Sequence, residues 1–189
     1  HLGQRDQQGF QMWLDEFYRD FPEYISRQTL PAVHGLAEAV APIAADEVAS
    51  KTIPDISGFV SEYNRDLAIR YTGSSKGQIT QILAEASKAG QDAAPLISAR
   101  LDGWEATRSE RIAANETVRL SNGTAKMVFI AAGIRRLIWQ AEGSESCEFC
   151  QALDGQVVGI ESKFNSLGLN NSEGHPPIHE GCTCRIAPA

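Results

Sequence analysis

All four cysteines of this 189-residue chain lie near its C-terminus, in two close pairs. Cys147 and Cys150 are separated by two residues, Cys182 and Cys184 by one, and His179 precedes the second pair. A Cys-x-x-Cys turn places two sulfurs on one ion without backbone strain. A distant group of His and Cys then completes the usual pattern of a closed tetrahedral zinc site. The sequence therefore predicts one structural Zn²⁺ held by four of these five side chains, and the spacing leaves open which four.

Other interpretations of the cysteines are weaker. Two disulfides in an exported domain would be expected together with a secretory signal, and the sequence shows none. A thioredoxin-type redox pair needs a strand-to-helix junction in a βαβ unit, but here a strand-like run precedes the motif and a turn is predicted after it. A catalytic zinc keeps one coordination position open, whereas five candidate ligands favour a closed structural site.

Composition limits the classes of protein to which the chain can belong. Its length and 42% hydrophobic content suit one ordinary domain, or a small domain with an extension. The net charge of −7 argues against an extensive nucleic-acid surface, which needs clustered Lys and Arg. No stretch approaches the roughly 20 apolar residues of a membrane span. The chain begins with His1 rather than Met, so we expect a fragment, a processed form or a tagged protein.

The first 133 residues show the apolar period of amphipathic helices. Phe21 and Pro22 are predicted to end the first helix, and Pro42 to kink or break the second. Gly73 is predicted to stop the third helix, and Gly90 marks a later helix start. The predicted helices cover residues 5–19, 29–50, a stretch after Pro54, a short stretch after Ser75, a stretch after Asp92, and residues 104–132.

The period changes after Gly133, which is suited to end the last helix. Short strands are predicted at residues 134–139, 156–160 and 182–187, with a loop at residues 161–178. The inward face of the last helix is predicted to carry Ala113, Thr117, Leu120, Thr124 and Met127. The predicted fold class is mainly α: a multi-helix N-terminal body followed by a small zinc-stapled β-element. The expected organisation is a helical region at residues 1–103 and a second module at residues 104–189.

Four sequence blocks in the C-terminal half occur in a recognisable order and spacing. They are Arg108 to Glu116 with Asn122, Leu137 to Trp139, Cys147 to Gly155, and Pro176 to Arg185. Together they cover roughly residues 100–187 and resemble the Mu F-like minor head proteins (head morphogenesis proteins) of tailed phages. The family often has Ala-Arg-Thr-Glu where this chain has Ala-Ala-Asn-Glu at residues 113–116. No role for an arginine at position 114 is therefore carried over.

The resemblance implies a structural virion component of few copies. No catalytic activity is expected, because five candidate ligands can close the metal site. Its expected partners are the phage portal protein, the major capsid protein, or both. It would lie in the capsid interior near the portal, and in the host cytoplasm during assembly, and act in head assembly or genome delivery. Some relatives carry a toxin or ADP-ribosyltransferase domain after this module. Only three residues follow Ile186, so none is expected within this chain.

Two other functions remain open from the sequence: a zinc-stabilised adaptor that binds proteins, and a zinc hydrolase or nuclease. The aromatic residues Trp13, Phe17 and Tyr18 are either interface anchors or part of a helical core. On the last helix, the charged residues Arg108, Arg111 and Glu116 either support the zinc element or form a solvated face.

Overall fold

The computed structural model describes residues 4–142, 147–165, 168 and 174–189, with side chains from residue 8 onward. Within this part of the chain the elements are α1 (Gln4–Glu47), α2 (Ser57–Ala89), α3 (Ala94–Ala131), β1 (Arg136–Gln140), α4 (Glu148–Leu153), β2 (Val157–Gly159) and β3 (Arg185–Pro188). The three strands form one antiparallel sheet. The predicted fold class, mainly α with a small β-element after the helices, is confirmed.

Helix α1 is longer than predicted, because it continues through Pro22, Pro31 and Pro42. The prediction that a helix ends at Phe21 and Pro22 is wrong. Each internal proline removes one backbone hydrogen bond and costs about 3 kcal/mol in an isolated helix. Buried residues on both sides of the prolines, including Leu14 and Ala41, keep the helix continuous by packing. Tertiary contacts outweigh the local preference here.

Helix α2 likewise continues through Gly73, where the sequence predicted a stop. The nearby hydroxyls turn back onto carbonyls of their own helix: Thr72 Oγ1 lies 2.7 Å from the carbonyl oxygen of Ala68, and Ser75 Oγ lies 2.8 Å from that of Tyr71. These residues therefore act inside the helix and do not cap a new one.

Helix α3 begins ten residues before the predicted start at Trp104, directly after the Gly90 break. The side chain of Asp92 accepts a hydrogen bond from the Ala94 backbone N–H at 3.1 Å. This contact places the true helix start, and no second start occurs at Trp104. The end agrees with the prediction, since Gly133 follows the helix with φ of 81°.

The predicted inward face of α3 is only partly right. Leu120 and Thr124 are buried, but Ala113, Thr117 and Met127 are exposed. The residues buried in their place are Glu116, Asn122, Gly123, Val128 and Phe129. Two of these are polar and find partners inside the protein, and a hydrophobic period cannot reveal such residues.

The sheet has the strand order β2-β1-β3. In the centre, Leu137 lies opposite Val158 of β2, and Trp139 lies opposite Ile186 of β3. The first two strands lie where they were predicted. β3 begins only at residue 185, so the cysteines before it are not on a strand face as the sequence had allowed. The predicted loop at 161–178 lies partly outside the described residues.

Two compact units divide the chain, and each is discontinuous in sequence. The first comprises His1–Pro31 with Ser61–Ser109, and the second comprises Ala32–Val60 with Glu110–Ala189. The sequence had predicted a boundary between residues 103 and 104. The core of the first unit contains Leu14, Ile79, Leu83, Ala86 and Ala93. The core of the second unit combines the sheet, parts of α1 and α3, and three of the four cysteines.

None of the helices in the described residues has an apolar stretch that would let it span a bilayer.

Candidate metal centre

All five predicted metal ligands come together in the second unit. The sulfur of Cys147 lies 3.0 Å from Nε2 of His179, and the sulfur of Cys150 lies 3.2 Å from the same nitrogen. The sulfurs of Cys150 and Cys182 are 3.7 Å apart. Two groups of three result, Cys147, Cys150 and His179, and Cys150, Cys182 and Cys184, each with donor atoms within 4.8 Å of one another. The five side chains cluster compatibly with a metal site, and Cys150 belongs to both groups.

The short helix α4 positions the first cysteine pair. Cys147 is its N-cap residue, in an extended conformation, and Cys150 lies in its first turn. The Cys147 sulfur therefore lies near the backbone N–H groups of Phe149 and Cys150, which begin the helix. The sequence predicted a turn at this point, and the helix was missed. Its six residues are too few to show an amphipathic period.

The imidazole of His179 is oriented by its own loop. Its Nδ1 lies 2.8 Å from the carbonyl oxygen of Glu180, so Nδ1–H donates a hydrogen bond to that carbonyl. In the neutral imidazole Nε2 is then the acceptor nitrogen, and it faces the sulfurs of Cys147 and Cys150. Holding one ring nitrogen by a carbonyl is the usual way in which a metal-binding histidine is fixed in one tautomer. The N–H of Cys182 donates to the His179 carbonyl at 3.3 Å, so these two residues share one turn.

Two of the thiols have lowered pKa values. Backbone N–H groups lower the pKa of the Cys147 thiol, and the N–H of Cys150 has the largest effect. The pKa of Cys184 falls to about 5, chiefly because the Cys182 thiol donates a hydrogen bond to it, with a further contribution from the Glu142 backbone N–H. Hydrogen bonds to a thiolate favour the charged form, which is also the form that binds metals.

The other two thiols have raised pKa values. Burial raises the pKa of Cys150 to about 12, and the neighbouring Cys184 and Cys147 add to this effect. The pKa of Cys182 is raised mainly because its thiol donates to Cys184, and burial acts in the same direction. Four sulfurs this close, three of them buried, cannot all carry a negative charge unless a cation compensates them. The donor set thus fits a bound metal ion, which would displace the thiol protons.

Helix α3 contacts the segment that carries the second cysteine pair, and it does so through a buried amide. Nδ2 of Asn122 donates to the carbonyl oxygen of Cys184 at 3.2 Å, and its Oδ1 accepts the backbone N–H of Ile186 at 2.8 Å. Asn122 belongs to the first of the four sequence blocks, but its contacts with Cys184 and Ile186 were not predicted. Ser121, Thr124 and Lys126 beside it are polar as well, so the sequence carried no distinct signal for this role.

The charged residues of α3 are divided between different contacts. Arg111 lies 3.5 Å from Glu180, the residue that follows His179, but both side chains are well exposed. Such a pair stabilises little. Glu116 is buried and forms an ion pair with Arg119 on its own helix. Arg108, the third charged residue of this group, lies in the first unit and donates to Ser75 Oγ at 2.9 Å.

Comparison of the chain with family models, with curated proteins and with solved structures finds no match.

Proposed function

We propose that the five-residue cluster binds one structural zinc ion. Thiolates with one imidazole nitrogen are the donors that Zn²⁺ takes in closed tetrahedral sites. Two sulfurs bound tetrahedrally at about 2.3 Å from zinc are separated by roughly 3.8 Å, and the Cys150 and Cys182 sulfurs lie 3.7 Å apart. This distance fits Cys182 as a ligand, and we propose it as the fourth beside Cys147, Cys150 and His179. Cys184 is then the sulfur outside the coordination sphere, with its hydrogen bond from the Glu142 N–H.

We infer that the chain is a structural minor head protein of a tailed phage, portal-associated and acting in head assembly or genome delivery. One observation carries this proposal. The blocks that resemble the Mu F-like family are far apart in sequence, and residues from each of them meet in the second unit. Asn122 of the helix block contacts the Cys184 carbonyl, and Trp139, Leu153 and Cys182 share one core. The resemblance therefore concerns residues that act together.

The proposed role is binding and not catalysis. Five donor atoms are available for four coordination positions, so no position is left for the water that a zinc hydrolase needs. A zinc-stabilised adaptor is the second candidate, favoured by the exposed rings of Trp13 and Phe17. In the phage interpretation the protein lies in the capsid interior near the portal after a period in the host cytoplasm.

The test is co-purification of the zinc-loaded chain with a portal protein and a major capsid protein of a tailed phage. We expect a complex with the portal that survives size-exclusion chromatography. Cys150→Ser, which removes the residue shared by both donor groups, should lose this complex together with its zinc. Nuclease and hydrolase assays on the zinc-loaded protein should show no turnover. A zinc-loaded chain that binds neither protein would leave the adaptor as the better proposal, and zinc-dependent turnover would contradict both.

A further inference from the structure

Five aromatic rings run along α1 in the first unit, in contact one after another. They are Phe10, Trp13, Phe17, Phe21 and Tyr24, which we call the aromatic ladder. Consecutive ring centroids are 5.4, 5.4, 4.7 and 6.0 Å apart. The rings of Trp13 and Phe17 are stacked, and so are those of Phe21 and Tyr24. The contacts hold the rings as one continuous strip.

The aromatic ladder is largely outside the core of its own unit. Trp13 is 53% exposed, Phe17 43% and Tyr24 49%, whereas Leu14 on the same helix is only 1% exposed. Leu14 and its neighbours thus supply the face that packs inward, and the ladder forms a second apolar face. Contiguous exposed apolar surface of this kind marks interaction sites in soluble proteins, and Trp and Tyr are the most frequent anchors.

An apolar recess continues the strip beyond its first ring. The recess has a volume of about 280 Å³ and is lined by Phe10, Leu83, Ala94, Ile97, Ser98 and Leu101. A cavity of about 150 Å³ holds a benzene ring, so this recess has room for an aromatic side chain from outside. Phe10 belongs to both the recess and the ladder, and the two therefore form one surface.

The charges beside the ladder are nearly balanced, although the whole chain carries −7. Three of the four acidic residues at positions 8–31 have a basic partner, in the pairs Asp15–Lys76, Glu16–Arg19 and Glu23–Arg27. A second molecule of the same charge would thus meet little repulsion at this face.

The spacing of the ladder points to the identity of the partner. The rings follow one another at intervals of 3, 4, 4 and 3 residues, which reads the same in both directions from Phe17. Phe10 and Tyr24 are each seven residues from this centre, about 10.5 Å along the helix axis. An antiparallel copy of the same helix would therefore set Phe17 against Phe17. Each of the remaining rings would also face a ring, Trp13 against Phe21 and Phe10 against Tyr24. No such symmetry is required of a surface for a foreign partner.

We propose that the aromatic ladder and its recess form a self-complementary face that pairs α1 with α1 of a second copy of this chain, antiparallel about Phe17. The contact is isologous, as in most homodimers. Tyr24 of each copy would lie at the recess beside Phe10 of the other. This inference does not depend on the zinc site or on the phage function.

The surface available suggests a dimer of modest affinity. A fully buried aromatic side chain removes about 150–250 Å² from water. Three half-exposed rings thus offer roughly 250–350 Å² per copy, to which the recess adds. Stable complexes bury about 800 Å² per partner, so we expect a dissociation constant on the order of micromolar.

The experiment is sedimentation equilibrium of the full zinc-loaded chain over about 1–200 µM, a range that brackets the expected constant. We expect a monomer–dimer equilibrium. The double variant Trp13→Ser, Phe17→Ser should weaken the dimer by about 100-fold or more, because it removes two central anchors. The matched control is Ile43→Ser, which removes a 67% exposed apolar side chain from the same helix outside the ladder. It should leave the equilibrium unchanged.

Circular dichroism and zinc content report whether each variant is folded. A photoreactive phenylalanine analogue at position 17 should crosslink to the region around position 17 of the second copy. A wild-type chain that stays monomeric throughout the range would overturn the proposal. So would a dimer that survives the double variant, or a crosslink that falls outside α1. If the wild type is monomeric and the ladder binds only a foreign protein, the proposal is also wrong.

Discussion

At the scale of single residues, Asn122 substitutes for a missing strand. β3 pairs with β1 along one edge only. On its other side the Asn122 amide accepts from Ile186 N–H and donates to the Cys184 carbonyl. One amide side chain thereby satisfies two buried backbone groups, as a neighbouring strand would. It also joins α3 to the segment that carries the second cysteine pair.

Replacing Asn122 tests this role directly. Asn122→Ala leaves two buried backbone groups without a partner, so we expect a loss of about 2–3 kcal/mol in the free energy of unfolding. Asn122→Asp retains the acceptor for Ile186 N–H but sets a carboxylate against the Cys184 carbonyl, and should be at least as destabilising. Urea unfolding measures both effects. The control is Thr117→Ala on an exposed position of α3, with an expected change within about 0.5 kcal/mol. An equally small change for Asn122→Ala would refute the role.

At the scale of elements, the long helices persist where local preference opposes them. Prolines lie inside α1 and Gly73 lies inside α2, yet neither helix breaks. A glycine in a helix interior costs about 1 kcal/mol relative to alanine. Packing maintains the helix at Gly73, so the free-energy cost of the glycine is still present. Replacing Gly73 by alanine should remove it.

The prediction concerns Gly73 and Gly123, which are both helical glycines. A Cβ added at Gly73 meets no atom within 4 Å, so Gly73→Ala should stabilise the protein by about 0.5–1 kcal/mol. A Cβ at Gly123 would lie 2.9 Å from a ring carbon of Phe59, so Gly123→Ala should destabilise it. Thermal unfolding distinguishes the two variants by the sign of the change in Tm. A lower Tm for Gly73→Ala would mean that the helix does not continue through this position.

At the scale of the whole molecule, the metal centre connects parts of the second unit that are distant in sequence. It joins α4 to the segment before β3, and the strands concerned have only five, three and four residues. So small a sheet buries little surface, and a structural metal is a usual source of the missing stability.

We expect about one zinc per chain in protein purified without chelator, measured by elemental analysis. Cys182→Ser should lose the zinc, whereas Cys184→Ser should keep it. Without a metal, Cys150 and Cys182 are protonated at neutral pH, because the pKa of Cys150 is about 12 and that of Cys182 is also raised. Both protons must leave when zinc binds. The apparent zinc affinity should therefore rise with pH, by up to about 100-fold per pH unit, and fall as the pH falls.

Competition against a chromogenic chelator at several pH values measures this slope. A slope near zero would show that these two thiols are not ligands. Zinc retained by Cys182→Ser and lost by Cys184→Ser would exchange the roles of the two residues.

The local sequence determined the identity of the five candidate ligands and the order of helices before strands. Cysteine spacing and a helix-ending glycine such as Gly133 act over a few residues and can be read without a fold. Only the tertiary structure decided that α1 and α2 continue through Pro42 and Gly73, because that outcome depends on packing with distant residues. It also decided that the buried face of α3 includes Glu116, whose partner a hydrophobic period cannot reveal.

On α1 two apolar stripes are present, and periodicity cannot tell which one faces inward. The fold packs the stripe of Leu14 against Ile79, Leu83 and Ala86 and leaves the rings of Trp13, Phe17 and Tyr24 exposed. Contacts with residues this distant in sequence decide which face is buried.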